Sequence, residues 1–159
     1  MSDALRVLVV TVSDRASRGI YEDRSGPAVE AALRELISEI EIKRSIVPDE
    51  PEELRAAFTR GLSFDSVVTT GGTGIGPRDI TPEITRTFCD RDLPGIAELI
   101  RSEGRSETPM AALSRGCAAV KDHTVFVNLP GSVGGATSGA RLIAPLLEHA
   151  KAMLQGGGH

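Results

Sequence analysis

The stretch Leu5–Val12 (L-R-V-L-V-V-T-V) is almost unbroken in apolar and β-branched residues, the pattern of a parallel strand buried on both faces. From Pro27 the period changes. Val29, Ala32, Leu33, Leu36, Ile37 and Ile40 recur three and four apart, which places them on one face of an amphipathic helix. Residues 42–47 read as a second strand, 51–62 as a helix with proline in its first turn, and 65–70 as a third strand. Thr81-Pro82-Glu83 opens another helix, with Thr81 as N-cap and Pro82 at the first helical position. Residues 93–103 and 108–113 read as further helical segments, and 123–129 as a late strand ending at Pro130-Gly131. Leu142, Ile143, Leu146, Leu147, Ala150, Met153 and Leu154 form a closing helical stripe; Pro145 inside it predicts a kink or the true start of that helix, and the glycines at 156–158 a frayed tail. Strand and helix alternate throughout, so the expected class is α/β.

Composition narrows the function. The 159 residues are 40% hydrophobic, enough for one domain with a real core, and no repeat or linker divides them. No run approaches the roughly 18 apolar residues that cross a bilayer. The N-terminus lacks a basic segment, an apolar core and a small-residue cleavage site, so the cytoplasm is the expected compartment and no membrane is involved. A net charge of −4, with one Tyr, four Phe and no Trp, argues against a nucleic-acid surface, which needs basic excess and stacking platforms. Cys89 and Cys117 lack C-x-x-C spacing and neighbouring histidines, and read as reduced, buried thiols.

The chemistry concentrates after the third strand. Thr69-Thr70-Gly71-Gly72-Thr73-Gly74-Ile75-Gly76-Pro77-Arg78-Asp79 joins four glycines to a guanidinium, a carboxylate and a helix start. Glycines let backbone N–H groups approach an anion closely, and the following helix adds a positive dipole end. Asp79 could hold a divalent cation over the same phosphates. The spelling is neither the P-loop G-x-x-x-x-G-K-S/T nor the dinucleotide G-x-G-x-x-G, and Pro77 interrupts the helix that the latter opens. A phosphate cradle and a plain tight βα connection both satisfy this spacing.

In an open α/β sheet, ligands sit beyond the carboxyl ends of the strands. The loops there carry Ser13-Asp14-Arg15 with Asp23-Arg24-Ser25-Gly26-Pro27, then Pro48-Asp49-Glu50, then the glycine loop, then Asn128-Leu129-Pro130-Gly131-Ser132. Each has a plainer reading: Ser13, Asp14, Asp23 and Asp49 as caps, Glu98 as half of a solvated pair with Arg101, and Ser114-Arg115 as a helix-end complement. Their convergence on one sheet edge favours a site.

Taken together, Thr11-Val12-Ser13-Asp14, Asp23 to Pro27, Val47-Pro48-Asp49-Glu50, the run from Thr70 to Glu83, Pro94-Gly95 with Glu98, Leu113-Ser114-Arg115 and Asn128-Leu129-Pro130-Gly131 resemble the Mog-type molybdopterin adenylyltransferases of molybdenum cofactor biosynthesis. That family shares its fold with MoaB proteins and with the G domain of gephyrin. The resemblance covers nearly the whole chain and implies a three-layer α/β/α sandwich with a mostly parallel central sheet, usually a homotrimer. It implies transfer of AMP from Mg-ATP to the terminal phosphate of molybdopterin with release of pyrophosphate, and hand-over to a molybdenum-insertion protein. It also implies site roles. Asp49 and Asp79 are the expected catalytic residues and Mg²⁺ ligands; Gly71, Gly72, Thr73 and Gly74 would cradle phosphate oxygens, and Thr81 is a further expected substrate- or nucleotide-binding residue. Ser114 and Arg115 would contact pterin phosphate or nucleotide, Ser13, Asp14 and Glu98 would line the same pocket, and Asn128, Pro130, Gly131 and Ser132 would shape its nucleotide side. Val133-Gly134-Gly135 departs from the family pattern after Ser132. A MoaB-like molybdopterin binder without adenylyl transfer is the alternative, although Arg78-Asp79-Ile80-Thr81-Pro82-Glu83 resembles the adenylyltransferase spelling; a gephyrin-like scaffold role ranks below both.

Overall fold

A computed structural model of the chain describes residues 3–157. Its elements run β1 (Leu5–Val12), α1 (Asp14–Ser17), α2 (Ser25–Leu36), β2 (Ile40–Val47), α3 (Pro51–Gly61), β3 (Ser66–Thr70), α4 (Thr81–Phe88), β4 (Arg91–Asp92), α5 (Pro94–Gly104), a 3₁₀ turn (Pro109–Leu113), β5 (Ala118–Lys121), β6 (Thr124–Leu129) and α6 (Val133–Leu154). The six strands form one sheet in the order β2-β1-β3-β6-β5-β4. Strands β2, β1, β3 and β6 are parallel, and β5 is antiparallel to both neighbours, so the sheet is mixed but mostly parallel.

Alternation along the strands supplies two cores. Leu5, Val7, Val9, Val68, Val127 and Leu129 pack against α2 and α6, with Ile96 and Ile100 of α5 beside them. Leu8, Val10, Val67 and Phe126 face α3 and α4, where the rings of Phe58, Phe88 and Phe126 meet edge to face at 5.0–5.6 Å. Both faces of the sheet are covered by helices, which is why β1 reads as a continuous apolar run.

Several expectations shift. Helix α2 closes at Leu36, which is 51% exposed, and Ile40 opens β2 instead of extending the helical stripe. Thr81 is the first residue of α4, not its cap; its hydroxyl donates to the Gly71 carbonyl at 3.1 Å. Residues 108–113 resolve into a 3₁₀ turn that Thr108 caps by accepting from the Met110 N–H. The closing helix starts at Val133 and carries Pro145 within it. Gly156, at φ +83°, does not fray: its N–H donates to Met153 O at 3.0 Å and that of Gly157 to Ala152 O at 2.8 Å, a Schellman closure of α6. Gly158 lies outside the described residues. The short β4 and β5 and the one-turn α1 have no counterpart in the expected elements. Among the described residues no helix is long and apolar enough to cross a membrane.

Candidate active site

The glycine loop leaves β3 through two residues in left-handed conformation, Gly71 at φ +100° and Gly72 at φ +70°. A side chain on Gly71 would place its Cβ 2.4 Å from the Val12 carbonyl oxygen, so only glycine lets the chain pass the end of β1. The Gly71 N–H donates to Leu129 O at 3.2 Å and the Thr70 hydroxyl to Pro130 O at 2.7 Å, tying the loop to the end of β6. The Thr81 N–H donates to Gly72 O at 3.1 Å, and Asp79 Oδ2 accepts from the Gly76 N–H at 2.8 Å. Arg115 then clamps the loop from outside. Its backbone N–H donates to Thr73 O, its Nε to Gly74 O at 2.8 Å, its Nη2 to Asp79 O at 2.9 Å, and its Nη1 to the Glu83 carboxylate. That last contact holds Glu83 below its ordinary carboxyl value.

Beside this loop opens a cleft of about 420 Å³. Its polar end is built by Gly72, Thr73, Gly74, Asp79, Ser114, Pro130, Gly131 and Ser132, and its apolar wall by Ile100, Met110, Ala111, Leu113 and Leu142. Ser132 caps α6 by accepting from the Gly135 N–H at 3.1 Å, so the positive end of a 22-residue helix meets the polar end of the cleft. At the far side Glu107 accepts from the Ser138 hydroxyl at 2.7 Å, joining the segment after α5 to α6.

An acidic group stands where β1 and β2 end. Asp49 is buried, 9% exposed, and Asp14, Glu50 and Arg78 surround it. Burial first, and then the charges of Asp14 and Asp79, push the Asp49 carboxyl above its ordinary value, against a hydrogen bond from Asp14 that pulls it down. The Arg78 guanidinium holds Asp14 below the usual range. Asp49 reaches the loop from behind: a Cβ on Gly72 would lie 3.1 Å from its Oδ1.

The expected residues thus separate by position. Gly72, Thr73, Gly74, Asp79, Ser114, Pro130, Gly131 and Ser132 line the cleft, and Gly71 and Thr81 shape the loop beneath it. Ser13 caps α1, accepting from the Ala16 N–H. Asn128 is 3% exposed and joins Thr69, Thr85 and Cys117, a buried tie under the loop. Glu98 is exposed on α5 and does not line the cleft. Asp23 stands just before the N-cap Arg24 of α2 and accepts from the Gly26 N–H and the Thr11 hydroxyl, tying the start of that helix to β1. Cys89 and Cys117 are free and half-buried, and burial pushes the Cys89 thiol up to about 12. The apolar wall went unanticipated; its one signal is the run Met110-Ala111-Ala112-Leu113, which leaves Met110 64% and Leu113 52% exposed.

A mostly parallel sandwich with a glycine loop at one end of a cleft and an apolar wall along it has groups suited to phosphate oxygens and to an apolar body. The family model described as "Probable molybdopterin binding domain" matches residues 8–149. The chain belongs to that family. It is 41% identical over 131 residues to a molybdopterin adenylyltransferase of Helicobacter pylori (strain J99), covering 80% of this chain and 74% of that protein. It is 40% identical over 153 residues to the molybdenum cofactor biosynthesis bifunctional protein of Synechococcus elongatus; there the match covers 95% of this chain but 48% of the relative, so the chain spans about half that protein's length. The crystal structure of the molybdopterin biosynthesis enzyme MoaB from Thermus thermophilus superimposes with a TM-score of 0.83 at 41% identity, over 96% of this chain and 97% of that one.

Proposed function

We propose that this protein is a molybdopterin adenylyltransferase, moving AMP from ATP to the terminal phosphate of molybdopterin and releasing pyrophosphate. The observation that carries this reading is a glycine cradle at the polar end of a cleft with an apolar wall, with Asp79 lining that cleft and Asp49 reaching the cradle from behind, in a chain 41% identical to an enzyme of that name. In this reaction an oxygen of the pterin phosphate bonds to the α-phosphorus of ATP while the bond from that phosphorus to the bridging oxygen breaks. Two anions must be brought together in line, so catalysis is mostly positioning and charge neutralisation.

The residues divide that work. N–H groups of Gly72, Thr73 and Gly74 and of the opening turn of α6 receive phosphate oxygens. Thr73, Ser114 and Ser132 add hydroxyls, and Ile100, Met110, Leu113 and Leu142 receive a flat ring. Arg115, Thr81 and Asn128 keep the cradle rigid. Among the described residues no group of three or more His, Cys, Asp or Glu could hold a metal ion. Two carboxylates do fit Mg²⁺ as nucleotide enzymes commonly bind it, through one or two side chains plus substrate phosphates. Buried Asp49, beside the charges of Asp14 and Asp79, is where a cation is best compensated. Asp49 and Asp79 would hold the ion, which would neutralise phosphate charge. The proposal includes a homotrimer, a cytoplasmic address and delivery of the adenylylated pterin to a molybdenum-insertion protein.

Anaerobic incubation with molybdopterin and Mg-ATP tests the reading, followed by pyrophosphate release and by mass spectrometry of the pterin. Both products should appear, and both should vanish in Asp79→Asn. Tight pterin binding with neither product would overturn adenylyl transfer and leave a binding protein.

A further inference from the structure

Asp49 is held in place by a chain of contacts that begins outside the cleft. Strands β1 and β2 end side by side, with Val12 opposite Val47, so the first residue of α1 and the loop before α3 face each other. The Asp14 N–H donates to Asp49 Oδ2 at 3.0 Å, and the Asp49 N–H donates to Asp14 Oδ1 at 3.0 Å, closing a reciprocal ring. Arg78 arrives on the loop after β3. Its Nε donates to Asp14 Oδ2 and its Nη2 to Asp14 Oδ1, both at 3.0 Å, and Nη2 also donates to Glu50 Oε1 at 2.8 Å. Both Asp14 oxygens are thereby engaged, while Asp49 keeps Oδ1 turned toward Gly72.

We propose that Arg78 and Asp14 are positioning residues of the transfer reaction: the guanidinium fork locks the Asp14 carboxylate, and Asp14 fixes the Asp49 side chain with one oxygen facing the glycine cradle. This inference rests on the adenylyltransferase reading. Its physical basis is that two carboxylates this close repel, and an unlocked pair rotates apart. A planar fork specifies both oxygens of its partner, which a single ammonium cannot do. The relay draws on the loops after three neighbouring strands, β2, β1 and β3, so it also sets the spacing between Asp49 and the loop that carries Asp79. A misplacement of about 1 Å at such a group can cost on the order of a hundredfold in rate. Both Asp14 oxygens are held by Arg78, and Oδ1 also accepts from the Asp49 N–H, which suits Asp14 to orienting Asp49.

The test compares wild type with Arg78→Ala, Arg78→Lys and Asp14→Asn. Steady-state transfer is measured together with hydrogen exchange at the Asp14 and Asp49 amides. Arg78→Ala should lower kcat by roughly ten- to a hundredfold with KM for molybdopterin and ATP changed less than about twofold. Arg78→Lys should fall between it and wild type, and exchange at both amides should accelerate in Arg78→Ala. Wild-type kcat in Arg78→Ala, or a KM increase with kcat intact, would overturn the proposal; the latter would make Arg78 a direct phosphate contact. If Arg78→Ala does not fold, Arg78→Lys and Asp14→Asn carry the comparison. A wild type that transfers no AMP would sink the functional reading separately, and amide exchange would still decide whether Arg78 holds the ring.

Discussion

Gly72 and Thr81 leave no room for a carbon between them: a Cβ on Gly72 would stand 2.3 Å from the Thr81 hydroxyl oxygen, which donates to the Gly71 carbonyl. Gly72 also sits at φ +70°. Gly72→Ala therefore meets both a left-handed penalty of about 1–2 kcal/mol and a collision with buried Thr81. We expect a lower thermal midpoint and a loss of adenylyl transfer that exceeds the unfolded fraction at assay temperature. Full activity at an unchanged midpoint would show that the loop tolerates a side chain.

Asp49 should be costly to stability. Its carboxyl is raised above the ordinary value, chiefly by burial. A carboxyl raised in the folded state contributes stability that is complete below its unfolded pKa and is lost as pH rises through the folded one. Asp49→Asn removes that loss. In metal-free buffer its melting temperature should exceed that of wild type at pH 7, and the gap should close on acidification below about pH 4, while transfer activity disappears. A variant that melts below wild type at pH 7 would contradict this account.

Glu83 and Asp14 act in the opposite sense. Hydrogen bonds from Arg115 and Arg78, respectively, hold their carboxyls below the ordinary values. Such groups contribute stability above their unfolded pKa and lose it as pH falls through the folded pKa. Arg115→Ala should lower the melting temperature at pH 7 and flatten its decline below about pH 4. A melting curve parallel to wild type across that range would remove the Glu83 contact from the stability of the loop.

Ser132 joins two roles. As the N-cap of α6 it accepts from the Gly135 N–H, and Ser132→Ala should cost about 1 kcal/mol. Because Ser132 also lines the cleft, the same change should raise KM for the phosphorylated substrate. A stability loss with KM unchanged would confine Ser132 to capping.

Part of this molecule is readable residue by residue. Leu5–Val12 is recognisable as β1 because a strand buried on both faces needs apolar residues at nearly every position. Pro51 marks the start of α3, since the lost N–H matters least in a first helical turn. The cradle was visible because close backbone approach demands glycine, and Asp79 stands in its return limb.

Other features depend on pairs distant in sequence. Val133-Gly134-Gly135 looks like a loop by propensity, yet it opens α6, because Ser132 caps it. Packing further along that helix also favours small residues: a Cβ on Gly139 would come within 2.6 Å of a Leu129 methyl carbon. The short β5 forms by pairing with β6 across a turn at Asp122, at φ +53°, which local periodicity does not announce. Arg78 and Asp14 lie 64 positions apart and meet only because β1 and β3 are neighbours in the sheet. The residues that line up strands and demand glycines were therefore determined locally, by burial and backbone sterics. The apolar wall of the cleft and the lock on Asp49 were decided by the order of strands in the sheet, which brings distant loops to one edge.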